Sequence, residues 1–191
     1  MTLKKLQENW DGLAKLNPTW AILTERPDWD IEEFFHTGEV CISKFINHIK
    51  SSGYNINYSK ALDFGCGIGR LTQALSKHFS NVIGIDISPT MIDLANKYNK
   101  YEKKCLYMVN IDNSLNQFKD NSFDFIISYI TLQHMQPKYA IKYILEFLRV
   151  LTPGGMLVFQ MPSELVLGNI KSFVINYLPE VLLRSYRSIR N

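Results

Sequence analysis

The sequence is poor in cysteine, in long apolar runs and in net charge, and each shortage argues against a class of protein. Three cysteines, an odd number without a Cys-x-x-Cys pair, suit a reducing compartment and give no metal-ligand pattern. No apolar run approaches the roughly 20 residues of a membrane span, and no signal-peptide core follows Lys4 and Lys5. A formal net charge of +3 lacks the clustered basic charge of a nucleic-acid binder. We therefore expect a cytoplasmic protein with no metal, membrane or nucleic acid as its partner.

The chain of 191 residues is long enough for one domain with a sizeable core. Residues 1–36 contain all three tryptophans and no clear strand, and we expect them to form a helical cover segment. Residues 37–162 alternate between helix-like and strand-like patterns and form the expected core domain. Residues 163–191 are helix-like on both sides of Pro179 and form an expected helical tail.

The core pattern predicts an α/β fold with a doubly wound, mainly parallel, Rossmann-like sheet of five strands. One helix is predicted to begin at Thr37 and end at Gly53, and others to begin near residue 69, at Ser88-Pro89 and at Pro137. Apolar runs predict the strands at residues 60–64, 81–86, 105–109, 123–130 and 156–161.

The first predicted strand runs into a glycine turn, "LDFGCGIGRLT" at residues 62–72. Glycine is kept where the backbone needs an unusual φ or where another group must come close. Ligands of open parallel sheets bind at the carboxyl ends of the strands, and Asp86 ends the second strand, where an acid can accept ribose hydroxyls. The turn and the acid together predict a ligand that carries a nucleoside.

The spacing of the turn argues against a nicotinamide dinucleotide, because Arg70 stands where the third glycine of that motif belongs. With Asp63 in front of the glycines, the turn instead resembles the first motif of the class I S-adenosylmethionine-dependent methyltransferases. Within that family, it resembles the small-molecule methyltransferases similar to methyltransferase types 11 and 12. Three further segments resemble that family in order and spacing: "VIGIDISPTMIDLA", "IDNSLNQFKDNSFDFIIS" and "LRVLTPGG". The resemblance covers residues 30–161.

The resemblance implies S-adenosyl-L-methionine as the cofactor and S-adenosyl-L-homocysteine as its product. Asp63 would attract the amino group of the methionine part, and Asp86 would take the ribose hydroxyls. Free N–H groups at the helix start, Thr37-Gly38, would meet the methionine carboxylate. The other expected contacts are the Gly65, Cys66 and Gly67 backbone under the ribose, Ile87 and Met91 at the adenine, Asp112 with Ile111 and Asn113 at the adenine amine, and Tyr129.

Several of these residues also fit purely structural roles. Asp63 could cap the turn or the next helix, Met91 could belong to the core, and Cys66 is expected to be a small filler rather than a nucleophile. Asp124, at the start of the fourth strand, is expected to stabilise a turn. In the amino-terminal segment, a capping-box pattern at Asp30 precedes large apolar residues that could either cover the cofactor or pack in the core: Trp20, Trp29, Phe34 and Phe35.

His134, after the fourth strand, is the candidate general base, because methyl transfer needs a base only when the acceptor must lose a proton. Its alternative role is to fix the shape of its loop. We expect a methyltransferase with a small-molecule acceptor; the alternative is a truncated, non-catalytic binder of the cofactor or a partner. The family's two carboxyl-terminal strands are not evident, so the tail at 163–191 is expected to cover the sheet or pair in a homodimer.

Overall fold

The structure is a computed structural model that describes residues 2–161. The α-helices in this range are α1 (Leu3–Leu16), α2 (Pro18–Ile22), α3 (Ile31–Ser51), α4 (Arg70–Leu75), α5 (Pro89–Lys97) and α6 (Pro137–Val150). Across those described residues, no helix combines the length and apolarity that crossing a membrane requires. The expected tail, the expectation that the strand hairpin is missing, and the expected homodimer contact all concern residues 163–191, which lie outside the described residues.

The five predicted strands form one parallel sheet, which confirms the expected fold class. They are β1 (Lys60–Phe64), β2 (Asn81–Asp86), β3 (Cys105–Val109), β4 (Phe123–Ser128) and β5 (Leu151–Phe159). The strand order is β3-β2-β1-β4-β5. The chain thus runs outward from β1 to β3 and then crosses to β4 on the other side of β1. This reversal makes the carboxyl ends of β1 and β4 the switch point where open α/β sheets bind ligands.

Helices cover both faces of the sheet, because strand side chains alternate between the two faces. On one face, a buried cluster joins α3 and α4 to Phe125 and Ile127 of β4. On the other face, Phe64 of β1 packs against Phe147 of α6, with ring centroids 5.0 Å apart. The central strands β1, β2 and β4 are therefore mostly buried between two helical layers. Ligands of such sheets bind at the carboxyl ends of the strands.

The prediction that a helix begins at Thr37 is wrong. Helix α3 begins six residues earlier, where the Asp30 side chain accepts hydrogen bonds from the N–H groups of Glu32 and Glu33. Thr37 and Gly38 therefore lie inside the helix, where backbone N–H groups bond within the helix. Their expected role as free donors to the methionine carboxylate loses its physical basis.

Strands β4 and β5 also differ from their predicted bounds, and β5 ends at Phe159 rather than residue 161. Strand β4 ends at Ser128 rather than residue 130, because Ile130 adopts a φ of +58° that breaks the extended backbone. Strand β5 begins at Leu151 rather than 156, since the segment around Gly154 continues the ladder through a register irregularity opposite Phe123 and Phe125.

Candidate functional site

The glycine turn joins β1 to α4 at the switch point of the sheet. The N–H groups of Gly65 and Cys66 both donate to the Ile85 carbonyl, at 2.8 and 3.0 Å, and so tie the turn to β2. Gly67 has a φ of +53°, and a Cβ placed on it would lie 2.5 Å from Cδ1 of Ile22. The positive φ favours glycine here, and a Cβ would in addition have to displace the end of the Ile22 side chain of α2.

Asp86 links the glycine turn to the start of α5. One carboxylate oxygen accepts from the N–H of Gly67 at 2.9 Å, and the other accepts from the N–H of Ser88 at 2.9 Å. Burial raises the pKa of the Asp86 carboxyl, and these backbone hydrogen bonds oppose that rise. Each oxygen keeps acceptor capacity, so Asp86 can bind two further donors from the cleft beside it.

A cleft opens at the carboxyl edge, over the glycine turn and Asp86. Helices α1 and α2 form its outer wall, and the ends of β1, β2 and β4 form its floor. Its lining comprises Leu3, Leu6, Trp10, Ala21, Ile22, Phe64, Gly65, Gly67, Arg70, Ile85, Asp86, Ile87, Met91, Asn110, Tyr129, Ile130, Thr131, His134, Met135 and Tyr143. Of the predicted site residues, the structure brings Gly65, Gly67, Asp86, Ile87, Met91, Tyr129 and His134 together here.

Helix α1 is held across this cleft by a contact that no local sequence pattern indicates. The Asp11 carboxylate accepts from the Ser88 hydroxyl at 2.8 Å and from the Thr90 N–H at 2.9 Å, and pairs with Lys15 at 2.8 Å. These interactions lower the pKa of Asp11. Asp11 thus acts as a second cap for α5 and fixes α1 beside Asp86.

The opposite wall of the cleft follows β4 and carries His134 in a 3₁₀ turn, Leu132–His134. The His134 ring meets Trp10 edge-on, with centroids 5.1 Å apart, and partial desolvation lowers the pKa of His134. Ile130 has a left-handed backbone that is unfavourable for a β-branched residue, and such strain clusters at functional sites. Thr131 lies against Gly65, where a Cβ would collide with its side chain.

Arg70 also lines the cleft, and it carries a buried positive charge. Its side chain is only 5% exposed, and its NH1 group donates to the Thr37 hydroxyl at 3.2 Å. Its Nε is buried without a hydrogen-bond partner in the described part of the chain. Gly38 packs directly on the Arg70 backbone, so this glycine serves the contact between α3 and α4.

Several predicted site residues do not line the cleft. Asp63 is 1% exposed and accepts from the Thr72 hydroxyl at 2.7 Å, and burial raises the pKa of its carboxyl to about 6. Cys66 is buried in the turn, and burial raises the pKa of its thiol. The others outside the lining are Thr37, Gly38, Ile111, Asp112 and Asn113.

Asn110, which sequence reasoning missed, occupies the cleft in place of the 111–113 segment. Its amide donates to the Asp112 carbonyl at 3.0 Å and to the Tyr143 hydroxyl at 3.2 Å, and accepts from Gln117 at 2.9 Å. The signal that could have found it is position: Asn110 directly follows β3, as Asp86 ends β2, and both side chains reach the same edge.

Several residues singled out in the sequence make contacts that support the fold itself. Asp124 accepts from the Lys60 N–H at 2.8 Å and so fastens the start of β1 to β4. Met91 both lines the cleft and belongs to a buried cluster. Of the four amino-terminal aromatics, Trp29, Phe34 and Phe35 join that same cluster, and Trp20 is 39% exposed. The residues that cover the cleft are instead Leu3, Leu6 and Trp10, which lie earlier in the same 1–36 segment.

Comparison with known proteins places this fold and site in one family. A family model described as a methyltransferase domain matches residues 62–159. Demethylmenaquinone methyltransferase of Staphylococcus haemolyticus is 37% identical over 109 residues, covering 56% of this chain and 44% of that protein. The 2-methyl-6-phytyl-1,4-hydroquinone methyltransferase of a Synechocystis species is 38% identical over 98 residues, covering 51% and 30%.

Among solved structures, phosphoethanolamine N-methyltransferase 1 of Haemonchus contortus, in complex with phosphoethanolamine and S-adenosylhomocysteine, has the same fold. The TM-score is 0.65 at 18% identity, over 85% of this chain and 33% of that chain. The chain thus belongs to the methyltransferase domain family, with the class I S-adenosylmethionine-dependent fold. It spans about half the length, or less, of the curated relatives it matches.

Proposed function

We propose that this protein transfers a methyl group from S-adenosylmethionine to a small acceptor with an apolar, ring-bearing body. The observation that carries the proposal is that the glycine turn and the Asp86 carboxylate face one cleft at the switch point of the sheet. When bound, S-adenosylmethionine supplies a methyl group on a positively charged sulfur. The chain supplies alignment and exclusion of water.

The residues of the cleft fit that cofactor. Asp86 has acceptor capacity for ribose hydroxyls, since each of its oxygens receives one backbone N–H. Ile87 and Met91 offer apolar surface for a base, and Asn110 offers a polar edge beside them. Gly65 and Gly67 lack the Cβ atoms that would narrow the floor. These residues support S-adenosylmethionine as the cofactor and add Asn110 to the expected contacts, whereas Asp63 accepts from Thr72 and does not line the cleft.

The acceptor class follows from the remaining walls. Leu3, Leu6 and Trp10 of α1 face Ile130 and Met135 across the cleft, so an acceptor there meets mostly apolar and aromatic surface. This surface favours a ring-bearing molecule over a phosphate-bearing one. The quinone and hydroquinone substrates named for two relatives agree with this choice.

His134 is proposed as the group that takes the proton which a hydroxyl acceptor loses. Its lowered pKa keeps the imidazole neutral at pH 7 and therefore able to accept a proton. Contact with Trp10 holds the ring at the cleft wall. The alternative, in which His134 only shapes its loop, predicts no change in the acid–base behaviour of the reaction.

The test measures transfer of a labelled methyl group to a panel of phenols, short-chain quinols and phosphoethanolamine. We expect turnover with the ring-bearing acceptors, and a rate that rises with pH and levels off near or below pH 6.5. His134→Asn should bind S-adenosylhomocysteine normally but turn over ~10²-fold more slowly, without that pH dependence. Unchanged turnover would assign His134 to the loop, and turnover with phosphoethanolamine alone would contradict the acceptor class.

A further inference from the structure

Arg70 is a buried cation that forms no ion pair within residues 2–161. Its side chain is 95% removed from solvent, yet among residues 2–161 no carboxylate forms an ion pair with it. Its partners there are the neutral Thr37 hydroxyl at 3.2 Å and the Cys41 thiol. An isolated charge inside a protein is costly unless it is paired and hydrogen-bonded.

The acids nearest to Arg70 do not fill this role. Asp63 interacts with Arg70 only through longer-range electrostatics, and one of its carboxylate oxygens accepts from the Thr72 hydroxyl. Glu25, the other acid that affects Arg70, is exposed to solvent. Arg70 therefore has unused donor capacity, including its buried Nε, in a side chain that lines the cleft.

Thr37 gives this charge a fixed position. The threonine lies in the second turn of α3 and also donates its hydroxyl proton to the Phe34 carbonyl at 2.7 Å, which orients its oxygen as the acceptor for Arg70. Gly38, the next residue, allows the α3 backbone to approach Arg70 closely. The guanidinium is thus preorganised, as a site for a planar anion requires.

We propose that Arg70 binds the carboxylate of the cofactor's methionine part, with Thr37 as its positioning residue. The inference rests on the proposed function, since it concerns the same cleft. It transfers to Arg70 the task that the sequence suggested for the N–H groups of Thr37 and Gly38. Arg70, which stands where a dinucleotide motif has its third glycine, would thereby distinguish a cofactor with a methionine carboxylate from a nucleoside that lacks one.

The experiment compares two ligands by calorimetric titration: S-adenosylhomocysteine and its decarboxylated analogue, which keeps the amine and the nucleoside. Wild-type protein should prefer S-adenosylhomocysteine by roughly 10- to 100-fold, the scale of a hydrogen bond to a charged partner. Arg70→Met should bind both ligands equally, because it loses affinity for S-adenosylhomocysteine alone. Arg70→Lys, which keeps the charge without the fork, should retain part of the preference.

Thermal unfolding gives an independent readout. S-adenosylhomocysteine should raise the unfolding midpoint of wild type more than the decarboxylated analogue does. In Arg70→Met, the two ligands should raise the unfolding midpoint equally. Equal affinity of wild type for the two ligands, or an Arg70→Met variant that keeps the preference, would overturn the assignment. If Arg70→Met does not fold, the wild-type and Arg70→Lys titrations decide. Failure of wild type to bind either ligand would instead overturn the proposed function, and this inference with it.

Discussion

Gly67 and Gly154 both adopt a positive φ, at +53° and +80°, yet only Gly67 lies in the cleft. A Cβ on Gly154 would meet nothing within 4 Å, whereas a Cβ on Gly67 would meet Ile22. The pair therefore separates the backbone role of a glycine from its role in leaving space for a ligand.

We predict that alanine at either position lowers stability by about 1 kcal/mol, because both backbones disfavour a side chain. Gly67→Ala should in addition weaken S-adenosylhomocysteine roughly ten-fold or more, equivalent to ~1.4 kcal/mol. Gly154→Ala should bind as wild type does. Titration and urea unfolding of the two variants measure both effects, and equal affinities would remove the close-approach explanation of the turn.

Asp63 is a buried acid with a structural role, and it does not line the cleft. Its carboxyl supports Thr72, and burial raises its pKa from 3.8 to about 6. A folded-state pKa above the unfolded value means that the folded protein holds the proton more tightly. The stability that Asp63 contributes is thus present below pH 4 and lost as the pH rises through about 6.

We therefore predict that Asp63→Asn gains stability relative to wild type between pH 4 and 7, by up to roughly 3 kcal/mol from a shift of about two pKa units. Urea unfolding at several pH values measures the difference. Asp93→Asn, which removes an exposed acid from α5, is the matched control for the substitution. A stability difference for Asp63→Asn that does not change with pH would show that Asp63 does not titrate in this range.

At the scale of elements, the strands were predictable because each is a local apolar run with turn residues at its ends. The start of α3 was missed although its cap, Asp30, was visible, because Thr37 is also a residue type that caps helices. Gly38, which follows it, has a tertiary reason, since it admits the Arg70 backbone of α4. Likewise, the link between Asp11 and Ser88 spans 77 residues and leaves no local pattern.

That link leads to a prediction for α1. Asp11→Ala removes the acceptor for Ser88 and Thr90, and should cost about 1 kcal/mol of stability, as for a lost cap. Amide exchange in Leu3–Leu16 should become faster while exchange in β1 stays unchanged. The control, Lys15→Ala, keeps those two hydrogen bonds and should resemble wild type. If Asp11→Ala leaves α1 as protected as in the control, this contact does not hold the helix.

For the whole molecule, the doubly wound sheet and its switch point followed from the alternation of strands and helices, and Gly65, Gly67 and Asp86 followed with them. Residues 1–36 were expected to cover the core, but the particular contacts of α1 did not follow, because α1 reaches the cleft only through the folded arrangement. The sequence left open whether Trp29, Phe34 and Phe35 cover the cofactor or pack in the core, and in the structure they pack in a cluster with Met91. Local patterns identify the floor of the site, whereas its walls depend on contacts between distant segments.

The central claim is that this cleft binds S-adenosylmethionine through Asp86, and one titration tests it most directly. S-adenosylhomocysteine is titrated into wild type, Asp86→Ala and Asp93→Ala, with unfolding midpoints recorded because Asp86 also accepts from the Gly67 and Ser88 N–H groups. We predict binding by wild type and Asp93→Ala, and a loss of about 1–3 kcal/mol for a folded Asp86→Ala. Equal affinity of all three proteins, or no binding by wild type, would contradict the account.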